Sequence, residues 1–483
     1  MPKIISLFSG AGGLDEGFRL ALKNYKLIFA NEILSAPAKT FAKNFSAECI
    51  DKYIKLHDEN TLLHRRPIII KDSIENLKFE ELSRIFDHPD IILGGPPCQD
   101  FSVLRGKNGR KGIEVQRGKL YSYFVKSLAH FQPNIFVFEN VPGLKSANEG
   151  TAYKTIINDF ENLSESYENI KIDVGNHIYT KNLKKYKLIF NDIVNFSYLG
   201  VPQIRKRLII IGVRYDIINS VSYEKINMLK KSIKEILKGS KKHFNIFPLT
   251  PIEVFEGDTL KNLNEKYKRV IKEYEDLFEK NKSRLAQKWK EEVWEKLKFD
   301  IKEDYMFFNN VPDYLENKFD LAMEEHAEVL KLLGYYGNPI KNEEKDIKTD
   351  AEKVLMRMYL IPPGGNYEFV EDPDLKVKGL MSNIYRRINP LVPSPAVIAY
   401  GGGGTWGYHY ERSRGKLTNK ERARLQTFPE KFSFEGNFQE IRAQIGEAVP
   451  PLGAYYIAEA VNSIIENFNL QESKIIQIDN INS

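Results

Sequence analysis

Cysteine is scarce in this chain of 483 residues, which has two, Cys49 and Cys98. Two thiols cannot build a disulfide scaffold, and they exclude a zinc site made only of cysteines within one chain. A reduced, cytoplasmic setting is the simplest reading. Long apolar runs are missing as well. The opening segment reaches Asp15 and Glu16 too early for the apolar core of a signal peptide, and no stretch is long enough to cross a bilayer. No membrane role is expected. Internal repeats and low-complexity tracts are absent too, and 42% hydrophobic residues argue against a disordered chain. Charge is nearly balanced, 71 Lys and Arg against 65 Asp and Glu, for a net +6. That is compatible with a nucleic-acid partner without requiring one.

What is present is an alternation of short apolar runs and helical patterns over roughly the first 215 residues. The runs Ile4 to Phe8, Leu27 to Ala30, Pro67 to Ile70, Ile91 to Leu93, Ile135 to Phe138 and Leu208 to Val213 read as strands. Strands separated by helices imply a doubly wound, mostly parallel sheet, an α/β fold. Several of these strands end in polar or rigid residues: Glu32, Asp72, Pro96 to Gln99, and Glu139. Ligands of open α/β sheets bind at the carboxyl ends of the strands, so these residues are expected to converge.

Each has a chemical reading. In Phe8-Ser9-Gly10-Ala11-Gly12-Gly13 the glycines let backbone approach a ligand closely, though such turns also serve ordinary packing. Glu32 can accept from ribose hydroxyls and Asp72 from an adenine amino group. Together they suit an adenosine-containing cofactor, and the pattern lacks the full dinucleotide fingerprint. Cys98 follows a double proline past a strand end, a context for a nucleophile held at a cleft rather than for a core thiol. Residues 101 to 119 hold Arg105, Lys107, Arg110, Lys111, Arg117 and Lys119 against one acid, Glu114, with glycines interspersed. That suits closure over an anionic polymer or a plain solvated loop. Glu139 can hydrogen-bond the amino edge of a base or protonate a ring nitrogen, or simply cap a turn with Asn140 and Pro142. Gln203, Arg205 and Arg207 alternate before a strand, where arginines can hold a carbonyl oxygen and a phosphate or pair at a sheet edge.

Beyond residue 215 the texture changes. Tyr223 to His243 carries seven Lys against two Glu, and residues 261 to 304 carry 13 basic and 11 acidic residues at helical spacing. Both read as solvated helical faces. Met381 to Tyr410, with Gly401 to Gly404, is loop and short-strand chemistry. Leu417 to Phe428 and Gln444 to Ile464 return to helical patterns, and Asn469 to Ser483 reads as a loose tail.

Taken together and in this order, these segments resemble the DNA (cytosine-5)-methyltransferase family, of the prokaryotic restriction-modification type. The matches are Phe8 to Gly13, Pro96 to Gln99, Glu139 to Val141, Gln203 to Arg207, Leu417-Thr418 with Glu421 to Pro429, and Gln444 to Pro451. They cover roughly residues 1 to 215 and 380 to 465. Two positions depart from the family pattern: Glu447 stands where the tenth motif usually has Asn, and Ser6 where an Asp usually precedes Leu7.

The resemblance implies a class I S-adenosylmethionine-dependent methyltransferase fold with a second, smaller target-recognition domain. The implied catalytic and cofactor-binding domain covers 1–215. A target-recognition domain over 216–440 carries a charged helical insertion near 250–350. A returning segment, 441–466, completes the catalytic domain and 467–483 is a tail. The implied chemistry is transfer of methyl from S-adenosylmethionine to carbon 5 of a cytosine flipped out of duplex DNA. Cys98 would be the nucleophile at carbon 6, Glu139 the partner of ring nitrogen 3, and Arg205 or, preferably, Arg207 the group at the ring carbonyl. Cofactor contacts carry over to Phe8, Gly10, Gly12, Gly13, Glu32, Asp72, Pro96 and Leu120; no metal is implied. Arg386, Arg387, Tyr400 to Tyr410, Arg412 and Arg414 are the candidates for DNA contact. Family habit adds a monomer with a cognate restriction endonuclease as functional partner only. tRNA methylation and DNA binding without turnover stand as rival readings.

Overall fold

Uninterrupted β-branched and aromatic runs make the strands of a large sheet. In chain order the strands are β1 (Lys3–Leu7), β2 (Lys26–Asn31), β3 (Glu48–Asp51), β4 (Ile68–Lys71), β5 (Ile91–Gly94), β6 (Ile135–Asn140), β7 (Tyr186–Asn195), β8 (Gln203–Ile204), β9 (Lys206–Arg214) and β10 (Ser394–Pro395). The computed structural model describes residues 1–22, 24–53, 66–97, 120–166, 183–341, 351–377, 381–402 and 404–470. The chain forms two units, one of residues 1–194, 206–238 and 454–483, the other of residues 195–205 and 239–453.

In the first unit eight strands run in the order β3-β4-β2-β1-β5-β6-β9-β7. Every pair from β3 through β6 is parallel, and β9 joins β6 antiparallel. This is the doubly wound, mostly parallel sheet expected from the strand-helix alternation. Strands β1, β5 and β6 are buried along nearly their whole length, as a sheet covered on both faces requires. Register aligns Leu7 with Asn31 and with Gly94, Asn31 with Ile70, and Gly94 with Phe138. The loops that follow β4, β2, β1, β5 and β6 therefore leave the sheet from one row.

Two strands of the sheet had no counterpart in the sequence reading, β3 and β7. Both are edge strands, and the polar residues that interrupt them (Glu48 and Asp51; Lys187, Asn191 and Asp192) resemble loop. The core beneath the sheet is aromatic. Phe124, on the helix Tyr121–Phe131, meets Phe136, Phe138 and Phe160 edge-on at 5.9, 5.4 and 6.0 Å between ring centroids. Such pairs add about 0.5–1.5 kcal/mol each beyond area burial. A Cβ on Gly94 would lie 2.6 Å from the Phe124 ring, so the strand end is glycine because this helix lies against it.

The second unit is mainly helical, and the charged stretch after residue 250 forms several of its helices, among them Asn264–Lys272, Arg284–Glu292, Ile301–Phe308 and Phe319–Leu332. Thr418 caps the helix Asn419–Leu425 through a reciprocal pair with Glu421, and Asn437 caps Phe438–Glu447 with Glu440 in the same way. Its only strand pairing among the described residues, besides single bridges, is β8 with β10. In place of a sheet, buried arginines tie loops together. Arg424 donates to the carbonyls of Val254 and Asn338 and pairs with Glu430.

Candidate active site

Phe8 leaves β1 with φ 54°, a left-handed conformation uncommon outside glycine, and Gly10 follows at φ 55°. At Gly10 a Cβ would meet nothing within 4 Å, so the loop faces open space there. At Gly12, φ 90°, the reason for glycine is different: a Cβ would strike the rings of Phe41 and Phe45. Gly13 opens the helix Gly13–Ala21, which Gly12 starts without a side-chain cap. Glu32, just past β2, accepts from Gly10 N at 2.9 Å and Leu34 N at 2.8 Å, which locks its carboxylate beside the turn. Asn31 bridges to the next strand, donating to the carbonyls of Ile70 and Asp72 at 3.0 and 2.9 Å.

Asp72 accepts from Tyr53 N, Ser73 N and Asn76 Nδ2 at 2.7–2.9 Å. Partial burial acts to raise its pKa, but these hydrogen bonds and Lys52 outweigh it and hold the carboxyl below its ordinary value. Pro96 and Leu120 belong to the same unit; Leu120 is half-buried against the core at the start of the helix Tyr121–Phe131. Two fixed carboxylates beside an open glycine turn fit the ribose and adenine ends of a nucleoside.

At the neighbouring strand ends, Arg207 Nε lies 2.8 Å from Glu139 Oε1, with both side chains largely buried. A Cβ on Gly95 would come 2.9 Å from Glu139 Oε2, so the carboxylate lies against the backbone of the loop after β5. Asn140 Nδ2 donates to the Pro96 carbonyl at 3.2 Å and Asn140 Oδ1 accepts from Val141 N at 2.8 Å. Asn140 lies within the matched Glu139 to Val141 segment and reads locally as a turn cap; the structure makes it a strut between two strand-end loops. Cys98, and the basic residues 101–119 with it, lie outside the described residues. Pro97, the last described residue of that loop, immediately precedes Cys98.

Arg205 and Arg207 do not share a role. Arg205 lies in the second unit, 2% exposed, and donates to the carbonyls of Val397, Gly446 and Ala448 at 3.1, 2.8 and 3.0 Å. Gln203, also buried there, donates to Leu425 O at 2.7 Å and accepts from Val397 N at 3.0 Å. Three matched segments thus converge inside that unit. Gly446 has no room for a side chain because Ala399 backbone lies against it. Glu447 ends the helix; desolvation raises its pKa, opposed by a hydrogen bond with Tyr400.

The candidates for DNA contact need correction. Arg387 is fully buried and donates to the carbonyls of Ile361, Met358, His409 and Glu411, which leaves it no surface to offer. Arg412 is buried on the carbonyls of Tyr359 and Glu273 and pairs with Asp276. Arg414 pairs with Glu421. Arg386 is half-buried, and Tyr400 is 64% exposed.

One titrating group escaped the sequence reading. Asp15, in the first turn after the glycine loop, is 3% exposed, and burial pushes its carboxyl up to about 7 despite the Ser6 hydroxyl beside it. Its signal was its position directly after Gly12-Gly13-Leu14.

Residues 2–463 match the family model of the C-5 cytosine-specific DNA methylases. The chain belongs to the C-5 cytosine-specific DNA methylase family. Its kinship extends over nearly the whole length. It is 45% identical over 470 residues to the DNA (cytosine-5-)-methyltransferase M.ApeKI of Aeropyrum pernix, covering 96% of this chain and 98% of that protein. It is 30% identical over 467 residues to the type II methyltransferase M.NgoFVII of Neisseria gonorrhoeae, covering 96% and 88%. A prophage-encoded protein of E. coli described as a DNA modification methyltransferase shares the fold, with a TM-score of 0.53 at 19% identity over 96% of this chain and all of that one. The C-5 methylase is accordingly an enzyme of the DNA (cytosine-5-)-methyltransferase class, and its family implies S-adenosylmethionine as methyl donor. Among the described residues no helix is long and apolar enough to cross a membrane.

Proposed function

We propose that this C-5 methylase methylates carbon 5 of a cytosine flipped out of duplex DNA through a covalent Cys98 adduct. The observation that carries the reading is the Glu139–Arg207 pair, set against Gly95 in the loop that leads to Cys98. Carbon 5 of cytosine is a poor nucleophile until a group adds at carbon 6. Cys98, as thiolate, forms that bond. Glu139 faces ring nitrogen 3 and the amino group, drawing the ring's electrons toward nitrogen 3 as the sulfur adds. Arg207 holds Glu139 and the ring carbonyl. Bound S-adenosylmethionine supplies the electrophilic methyl group. Once carbon 5 carries the methyl, its proton leaves to a base, the carbon 5–carbon 6 double bond reforms, and the Cys98 sulfur departs.

Phe8, Gly10, Gly12, Gly13, Glu32, Asp72, Pro96 and Leu120 are assigned to the donor's site. Glu32 would orient the ribose and Asp72 the adenine amino group. Arg205 is assigned to holding its own unit, on the strength of its three carbonyl acceptors. The second unit is proposed to select the DNA sequence. Protection of host DNA from a cognate restriction endonuclease, in the cytoplasm, is part of the proposal, and the likeness to type II methyltransferases supports it.

Bisulfite sequencing of DNA from a methylation-free host expressing the chain tests this. Protected cytosines confined to one short motif are expected. A soluble, folded protein leaving DNA unprotected but methylating tRNA would replace the DNA reading.

A further inference from the structure

Two guanidinium groups lie against one indole in the second unit. Arg442 Cζ is 3.3 Å from the centroid of the Trp406 ring, and Arg422 Cζ is 5.9 Å from it. Arg422 donates to the carbonyls of Leu417, Ile398 and Trp406. Carbonyls satisfy its N–H groups but leave its charge uncompensated. Burial and the nearby Arg442 push its pKa down to about 10, with Glu421 acting the other way. Glu421 is itself occupied, by Arg414 and by the cap at Thr418.

Arg442 is 8% exposed, and among the described residues no hydrogen bond or ion pair reaches its guanidinium; its Nε is buried without a partner. Arg386, also without an ion pair among the described residues, lines a small cavity of about 50 Å³ with Asn383, Thr405, Trp406 and Arg422. A buried cation without a counter-charge is costly to a fold, and a ligand that supplies the charge relieves the cost. Stacking on the indole fixes the guanidinium plane and leaves its edge to donate in parallel to two oxygens.

We propose that Arg442, stacked on Trp406, with Arg386 lining the cavity against the same indole, grips a phosphodiester of the duplex substrate. The proposal rests on duplex DNA being that substrate. A phosphate rather than a base edge is favoured because Arg442 and Arg422 stand against one indole while Glu421, the carboxylate that acts on Arg422, is already paired with Arg414, a charge balance that calls for an anion.

The test uses the full-length chain, a duplex of mixed sequence and fluorescence anisotropy over a salt series. Arg442→Gln should weaken binding about tenfold and lower the slope of log affinity against log salt by about 0.9, the value for one phosphate. The motif methylated in a methylation-free host should not change. Trp406→Leu keeps the charge, so it should weaken binding with the wild-type slope. Wild-type affinity and slope for Arg442→Gln would overturn the proposal. An unchanged slope with a relaxed motif would overturn it too, in favour of base readout. If Arg442→Gln does not fold, Arg386→Gln at the cavity rim decides, with a reduced slope expected and a wild-type slope overturning the phosphate site. Failure of the unmodified protein to bind duplex DNA would instead refute the substrate reading itself.

Discussion

Glu139 and Arg207 meet because β6 and β9 are antiparallel neighbours whose register pairs Asn140 with Leu208, one step from both. The acid and its guanidinium are therefore held by a sheet ladder rather than by loops. A site built on strands keeps its geometry within the tight limits that transition-state stabilisation requires.

Removing the groups assigned to the cytosine ring should stop chemistry without unfolding the protein. Cys98→Ala should abolish methyl transfer, and Glu139→Gln should lower its rate by about 10²–10⁴-fold, the range for a lost general acid. Both should keep donor binding, measured by calorimetry. Cys98→Ala retaining activity would refute the covalent mechanism.

Gly95→Ala probes the same site from the backbone side. The added Cβ would stand 2.9 Å from Glu139 Oε2 and must push the carboxylate aside. The expected result is a fall in the rate of transfer of at least tenfold, with the melting temperature and donor affinity little changed. A wild-type rate would mean that Glu139 does not act from this position.

Asp15 makes a pH prediction. Its carboxyl titrates at about 7 in the fold against 3.8 as the ordinary value, so the fold prefers it protonated. That contribution is fully present below pH 3.8 and is lost as pH rises through 7. Asp15→Asn should stabilise the protein at pH 8, by up to about 4 kcal/mol at 1.36 kcal/mol per pKa unit, and have little effect at pH 4. Denaturant unfolding of the two proteins at both pH values checks this. Equal differences at the two pH values would contradict it.

His326 makes a second, independent one. Its Nδ1 is 2.8 Å from Glu253 Oε1 and its Nε2 is 2.9 Å from the Phe247 carbonyl, so both ring nitrogens face acceptors. Burial lowers its pKa, but the Glu253 charge and these hydrogen bonds prevail and raise it above 6.5. Its stabilisation is complete below 6.5 and is lost as pH climbs through the raised value. His326→Gln should melt lower than wild type at pH 6, with the gap narrowing toward alkaline pH. A gap constant with pH would show that the ring is neutral in the fold.

The first unit was legible because its strands announce themselves. Ile91 to Leu93 and Ile135 to Phe138 are apolar without a break, and their register brings Gly10, Glu32, Asp72, Pro96 and Glu139 to one row. What stayed hidden was long-range. No local pattern says that Asn140 reaches the Pro96 carbonyl or that Gly95 borders Glu139. In the second unit Arg386, Arg387, Arg412 and Arg414 read as candidates for DNA contact, because a lone Arg in a sequence gives no sign of the carbonyls around it. Arg387 and Arg412 turn inward instead, held by backbone carbonyls. Arg205 and Arg207 looked equivalent by alternation, yet a change of unit at residue 206 separates them.

That change has a practical side. The second unit is discontinuous in the chain: residues 195–205 belong to it, with Gln203 and Arg205 holding Leu425, Val397, Gly446 and Ala448. A chimera that transplants residues 239–453 alone into a related methylase would leave behind the peg around which that piece is folded. Moving the second unit intact between relatives therefore needs two grafts, the long segment and the eleven-residue one, moved together.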